Sequence, residues 1–76
     1  FGLTEAGYAD MLVRQDGACA ICNNTNPSGN RLSIDHCHVS GKVRGLLCVR
    51  CNFGLGYFQD NKERMLKAVK YLSERN

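Results

Sequence analysis

Apolar positions recur along this chain with two different periods, and the change of period marks out its elements. Over residues 3–15, Tyr8, Met11, Leu12 and Gln15 fall at helical spacing, which predicts an amphipathic helix. Thr4 stands before it as N-cap and Gly17 after it as a C-terminal stop. Gly7 weakens this helix by about 1 kcal/mol relative to alanine. A second helix is predicted near the end of the chain, where Met65, Leu66, Val69 and Leu72 form one apolar stripe. Lys62, Arg64, Lys67 and Lys70 lie mostly off that stripe, as a solvated face would. Asp60 and Glu63 have the spacing of a capping box, with Asp60 in the N-cap role.

Between these helices the period shortens. Residues 31–38 and 42–48 are short runs with β-branched or aliphatic positions, and Val39, Ser40 and Gly41 lie between them as a turn. That arrangement predicts a β-hairpin. Residues 23–30, with Pro27, Ser28 and Gly29, read as a loop, and residues 53–58 as a short helix that Gly54 and Gly56 disfavour. The chain carries no repeat or linker, so residues 1–76 are expected to form one α+β domain.

At 76 residues the buried core is small, and domains of this size often need a staple. Four of the five cysteines supply a candidate: Cys19-Ala-Ile-Cys22 and Cys48-Val-Arg-Cys51. Two residues between cysteines let both sulfurs of a knuckle face one ion, and two knuckles complete a tetrahedron of thiolates around zinc. The gap between the knuckles is longer than in most zinc ribbons, and a loop plus the hairpin fills it. The competing explanation is two unrelated buried cysteine pairs. No run resembles an export signal or a membrane span, so the knuckles read as metal ligands in a reducing compartment and not as disulfides. The formal charge of +3 mildly favours a polyanionic partner. Four zinc-bound thiolates and one zinc would lower it to about +1, so charge alone decides nothing.

If the four knuckle cysteines saturate zinc, the run Ile34-Asp35-His36-Cys37-His38 is surplus to it, because structural zinc sites close at four ligands. Cys37 has a plain explanation as a small core residue on a strand. Two histidines beside an aspartate, ahead of a glycine turn and basic residues, are harder to dismiss. Asn52 follows the second knuckle directly. Asp35 and Asn52 are hard oxygen donors of the kind magnesium accepts, and a neighbouring histidine could deprotonate water for attack on a phosphodiester. Strict strand alternation would place Asp35 and His36 on opposite faces, so the pair is expected at a strand end or a bulge. No base-reading element is visible. Lys42, Arg44 and Arg50, with Arg31 at the start of the hairpin, are therefore candidates for contacts with the phosphate backbone.

The stretch IDHCHVSGKVRGLLCVRCN resembles the core motif of the recombination endonuclease VII family, within the HNH or ββα-metal nucleases. The likeness extends over LTEAGYADMLVRQDGACAIC before it and NFGLGYFQDNKERMLKAVKYL after it, nearly the whole chain. The resemblance implies a ββα-metal core flanked by N- and C-terminal helices, with structural zinc on Cys19, Cys22, Cys48 and Cys51. It implies that Asp35 and Asn52 bind a catalytic magnesium or manganese ion, that His36 is the general base, and that His38 assists at the scissile phosphate. It further implies a DNA endonuclease or nickase in the cytoplasm of a bacterial or phage-infected cell, with the oligomeric state open. Two other classes fit the cysteines: a zinc-stabilised nucleic-acid-binding module that never cuts, and a protein-interaction zinc domain. Both leave Asp35, His36 and Asn52 without a task, which is what separates them from a nuclease.

Overall fold

The computed structural model describes residues 3–75; the outer bounds expected for the domain, residues 1 and 76, lie outside them. In chain order come α1 (Glu5–Arg14), β1 (Ser33–His36), β2 (Val43–Leu47), α2 (Val49–Tyr57) and α3 (Lys62–Arg75). The two strands pair antiparallel as the predicted hairpin, and α1 and α2 pack on it. The domain is α+β, as the alternation of periods predicts.

Helix α1 begins where its cap residue says it should: the Thr4 hydroxyl accepts from Gly7 N at 3.0 Å. It ends in a left-handed turn at Asp16 and Gly17, and Gly17 N reaches back to Leu12 O at 2.8 Å. That bond satisfies a carbonyl the helix would otherwise leave bare. The apolar face then meets the hairpin. Tyr8, Cys19, Leu32, Leu46, Leu47 and Cys48 are buried, and Leu3, Met11, Leu12, Ile34, Cys51 and Leu55 pack around them. The Tyr8 hydroxyl donates to Leu32 O at 2.7 Å, which lets a phenol enter this core without an unmatched polar atom.

Gln15, which the periodicity assigned to the apolar face, does something else. Its amide pairs with Leu46 as a neighbouring strand would, donating to Leu46 O at 3.0 Å and accepting from Leu46 N at 3.0 Å. Ala20 N donates to the same carbonyl at 3.1 Å. These groups cover the outer edge of β2, which a two-stranded sheet would otherwise leave open. Gly45 makes room for this: a Cβ there would stand 3.3 Å from Gln15 Oε1.

Two expectations about the second half of the chain need correction. Helix α2 starts at Val49, well before residue 53, because Cys48 is itself the N-cap and its sulfur accepts from Cys51 N at 3.5 Å. The second knuckle is therefore the first turn of a helix. Helix α3 is capped by Asn61, not Asp60: Asn61 Oδ1 accepts from Arg64 N at 2.9 Å. Asp60 instead adopts a left-handed φ of 54° in the corner between α2 and α3. The apolar stripe of α3 lies outside the core. Leu66, Val69 and Leu72 are exposed, and α3 packs on none of the other described elements.

Gln15→Ala is expected to destabilise the domain by about 1–3 kcal/mol, because Leu46 N is left buried without an acceptor. A urea titration should show a lower midpoint at an unchanged slope.

Candidate metal centre and active site

The four knuckle cysteines converge. Cys19, Cys22, Cys48 and Cys51 bring their sulfurs within 4.8 Å of one another, the one such group of metal-ligating side chains among the described residues. Cys22 Sγ and Cys48 Sγ are 3.6 Å apart. A tetrahedron with zinc–sulfur bonds near 2.3 Å spaces its sulfurs by roughly 3.8 Å, so four soft donors at these separations could hold zinc. Cys19 and Cys48 are buried and Cys22 is exposed, so the cluster lies at the edge of the core.

The thiols differ sharply in acidity. Burial opposes ionisation at Cys19, yet hydrogen bonds from the backbone at Cys48, Cys22 and Ile21 outweigh it and bring that thiol down to about 6. Burial, with sulfur contacts to Cys48, Cys19 and Cys22, pushes Cys51 up to about 12. Four packed thiols without a cation cannot all ionise, and one thiolate raises its neighbours. A divalent ion removes that conflict.

A buried amide holds the knuckles to the rest of the fold. Asn26 donates to Asn30 O at 3.0 Å and to Arg31 O at 2.8 Å, and its Oδ1 accepts from Val49 N at 2.6 Å. It closes the loop after the first knuckle and binds the first turn of α2. Nothing in the sequence pattern separates Asn26 from the loop asparagines around it.

The hairpin carries the second constellation. Asp35 pairs with Gly45 and His36 with Val43, so Arg44 is one extra residue on β2 opposite a single step of β1. The bulge therefore falls at the Asp35–His36 step, and His36 is also the last residue of its strand. Asp35 is buried and His36 half-buried. The bulged residue reaches over Asp35: Arg44 Nε donates to Asp35 Oδ2 at 2.6 Å and Nη2 to Oδ1 at 2.9 Å. The Asp35 carboxylate in turn raises the guanidinium's already high pKa.

Arg44 Nη2 also donates to Asp60 Oδ2, at 3.1 Å. That same oxygen lies 3.5 Å from His38 Nδ1. A chain of polar contacts thus runs Asp35, Arg44, Asp60, His38 from the buried carboxylate out to an exposed imidazole. Asp60 was hidden from sequence reasoning by its resemblance to a helix cap.

Asn52 lies in the first turns of α2 and is half-buried. Leu55, three residues on, lines an open hollow together with Ala20, Ile21, Asp35, Arg44, Gly45 and Leu47. Residues three apart share a helix face, so Asn52 belongs to the side of α2 that faces the hairpin.

The remaining sequence candidates separate. Lys42 and Arg50 are exposed. Arg31 is engaged by α1: it contacts Glu5 at 3.1 Å and stacks 4.1 Å above the Tyr8 ring. Arg44 meets carboxylates through Nε and Nη2 and not solvent alone. Cys37 is not in the core. Because β1 stops at His36, Cys37 falls in the turn, where its sulfur accepts from Ser40 N at 3.5 Å and Ser40 holds its thiol down to about 7.

The sequence matches the model of the recombination endonuclease VII family over residues 1–74. The Gene 59 proteins of Mycobacterium phage L5 and Mycobacterium phage D29 are each 42% identical to it over 73 residues. Those alignments cover 95% of this chain and 44% of each relative, so the chain spans less than half the length of the curated relatives it matches.

Arg44→Ala removes the counter-charge of a carboxylate whose side chain is only 11% exposed. Arg44 itself is 37% exposed and partly screened by water, so the expected loss is about 1–3 kcal/mol and not that of a fully buried pair. Arg44→Lys, which cannot donate two parallel bonds, should recover only part of it in the same denaturation experiment.

Proposed function

The chain belongs to the recombination endonuclease VII family, and from that premise we propose that it is a metal-dependent DNA endonuclease or nickase of the HNH, ββα-metal type. The observation that carries this reading is the Asp35–His36 step: a buried carboxylate beside a half-buried histidine, at a bulge, on a hairpin followed directly by a helix that carries Asn52. A structural ion pair would need Asp35 and Arg44 but neither His36 nor Asn52.

In this reading the two metal centres divide fold from chemistry. Cys19, Cys22, Cys48 and Cys51 would hold zinc, closed to substrate by four sulfurs. Asp35 and Asn52 would hold magnesium or manganese. The Asp35 carboxylate suits that role, since it already faces a cationic group in Arg44. An ion bound there supplies neutralisation of the charge that develops on the phosphate and the leaving oxygen.

The protein's own residues do the rest. His36 takes a proton from the attacking water, whose oxygen forms a bond to phosphorus as the bond to the leaving oxygen breaks. His38, exposed at the start of the hairpin turn, faces the scissile phosphate. Lys42 and Arg50, both exposed, hold the flanking backbone without reading bases. Arg31, tied to α1, is the weakest of the four phosphate candidates. No helix is long and apolar enough to cross a membrane among the described residues.

One observation favours a second reading. The Arg44 fork on Asp35 is what a zinc-stabilised binding module with no catalytic ion would also show. The purified domain with supercoiled plasmid, with and without added magnesium or manganese, separates the two. Nicking that depends on the added ion is expected. His36→Ala should lower the rate by roughly 10²–10⁴ while zinc content and DNA affinity hold, because it removes a base and no ligand. Undiminished cutting by His36→Ala would refute the assignment of the base, and no cutting by the parent with either ion would leave the binding module as the better reading.

The zinc assignment is tested separately. Elemental analysis is expected to find one zinc per chain. Cys48→Ser should lose the ion and unfold, since binding and folding are one event in a domain this small. Cys37→Ala should keep both. Zinc retained by Cys48→Ser, or lost by Cys37→Ala, would show that the ligand set is wrong.

A further inference from the structure

We propose that Asp60 is a positioning residue of the active site, its carboxylate holding the Arg44 guanidinium and the His38 imidazole in place beside Asp35. The proposal rests on the nuclease reading above and extends it to the corner between α2 and α3, which that reading does not use.

The backbone of that corner is pinned in an unusual shape. Gln59 and Asp60 both have left-handed φ, 57° and 54°. Gln59 N donates to Gly56 O at 2.9 Å, Asp60 N to Leu55 O at 2.9 Å and Asn61 N to Phe58 O at 3.0 Å. Residues other than glycine enter this region only when their surroundings require it, and such sites often serve a function. Capping α3 is not the reason, because Asn61 already accepts from Arg64 N. The corner instead turns the Asp60 side chain, only 22% exposed, toward the hairpin.

One carboxylate oxygen then serves two partners. Asp60 Oδ2 is 3.1 Å from Arg44 Nη2 and 3.5 Å from His38 Nδ1. Both partners have exposed side chains, 37% for Arg44 and 76% for His38, and His38, which lacks the Asp35 fork that holds Arg44, would otherwise sample many rotamers. A carboxylate on the Nδ1 side of an imidazole leaves Nε2 directed away from it, the orientation a group needs to meet a phosphate. The His38 contact is longer than a hydrogen bond and has room to tighten when substrate seats. Arg44 gains a second anchor. When a cation competes for Asp35, Asp60 keeps the guanidinium at the site as a ready partner for a phosphate oxygen.

The test uses Asp60→Asn, which keeps the shape of the side chain and suits a left-handed φ, and Asp60→Gly, which removes the side chain and relieves the backbone. Zinc content and thermal midpoint report on the fold. The chain has only two histidines, so the ¹⁵N resonances of both imidazoles can be followed in mildly alkaline buffer at fixed pH. Those of His38 are expected to move in both variants while those of His36 stay. In plasmid cleavage, kcat should fall about 10–100-fold with KM within about threefold, the pattern of lost orientation and not of lost binding. Unmoved His38 resonances overturn the proposal whatever the kinetics. A fall in kcat matched by loss of zinc or a collapsed midpoint also overturns it, since Asp60 would then be structural. If the parent protein cuts no DNA with magnesium or manganese, the nuclease reading fails, and the imidazole spectra still decide whether Asp60 holds His38.

Discussion

The convergence of four sulfurs is the constraint on which the rest of this domain depends. Cys19 and Cys48 are each 2% exposed and are two of the six buried apolar residues among those described, so the ligand cluster and the core are partly the same object. Cys48 is also the N-cap of α2. A single side chain thus ends the hairpin, starts the helix and joins the cluster, and Asn52 follows one residue after the last sulfur. Moving any knuckle would move the helix that packs on the hairpin. A domain with so few buried side chains gains little from apolar burial, so the free energy of metal binding at such a cluster would be much of its folding free energy.

The hairpin presents a different balance. Burying Asp35 is costly unless the charge is matched, and Arg44 matches it with two hydrogen bonds from one planar group. That pairing is possible because β2 carries one residue more than β1 at this step. The bulge swings Arg44 out of the regular alternation, and the register on either side of it survives. The result is a carboxylate that is both buried and stable before any ion arrives. A divalent cation brings twice the charge of the guanidinium but must give up water to use it. Asp60 adds to that balance a second carboxylate for Arg44, which would keep the guanidinium from bulk solvent were a cation to take Asp35.

Much of this was legible in the chain, for identifiable reasons. Helix α1 has a cap, a period and a glycine stop, three local signals that agree. The hairpin was marked by its period and its glycine turn, and the knuckles by spacing. The bulge was legible less directly: chemistry needed Asp35 and His36 together, while the strand period set them apart. Where local signals competed, the sequence misled. Asp60 and Asn61 are both good N-cap residues, and the tertiary demand of Arg44 for a carboxylate decides between them. Cys37 read as core only while β1 was assumed to continue past His36. The start of α2 was misplaced because a sulfur acting as N-cap has no place in the usual cap preferences.

What the chain does not reveal is its set of polar cross-links. Gln15 bonds Leu46 across 31 residues, Asn26 bonds Val49 across 23 and Arg44 bonds Asp60 across 16. Each joins an amide or carboxylate side chain to a backbone edge, a helix start or a cation, and none leaves a periodic trace. The three divide the molecule in a consistent way. Gln15 and Asn26 face inward and fix β2 and α2 to the knuckles, where rigidity serves the cluster. Arg44 on the hairpin and Asp60 in the corner between α2 and α3 meet nearer the solvent, where a guanidinium with two carboxylate partners can exchange one for another. A frame held by inward-facing amides and sulfur thus supports an edge held by ion pairs. Of the two, the ion-paired edge is the one whose partners can be exchanged without breaking the frame.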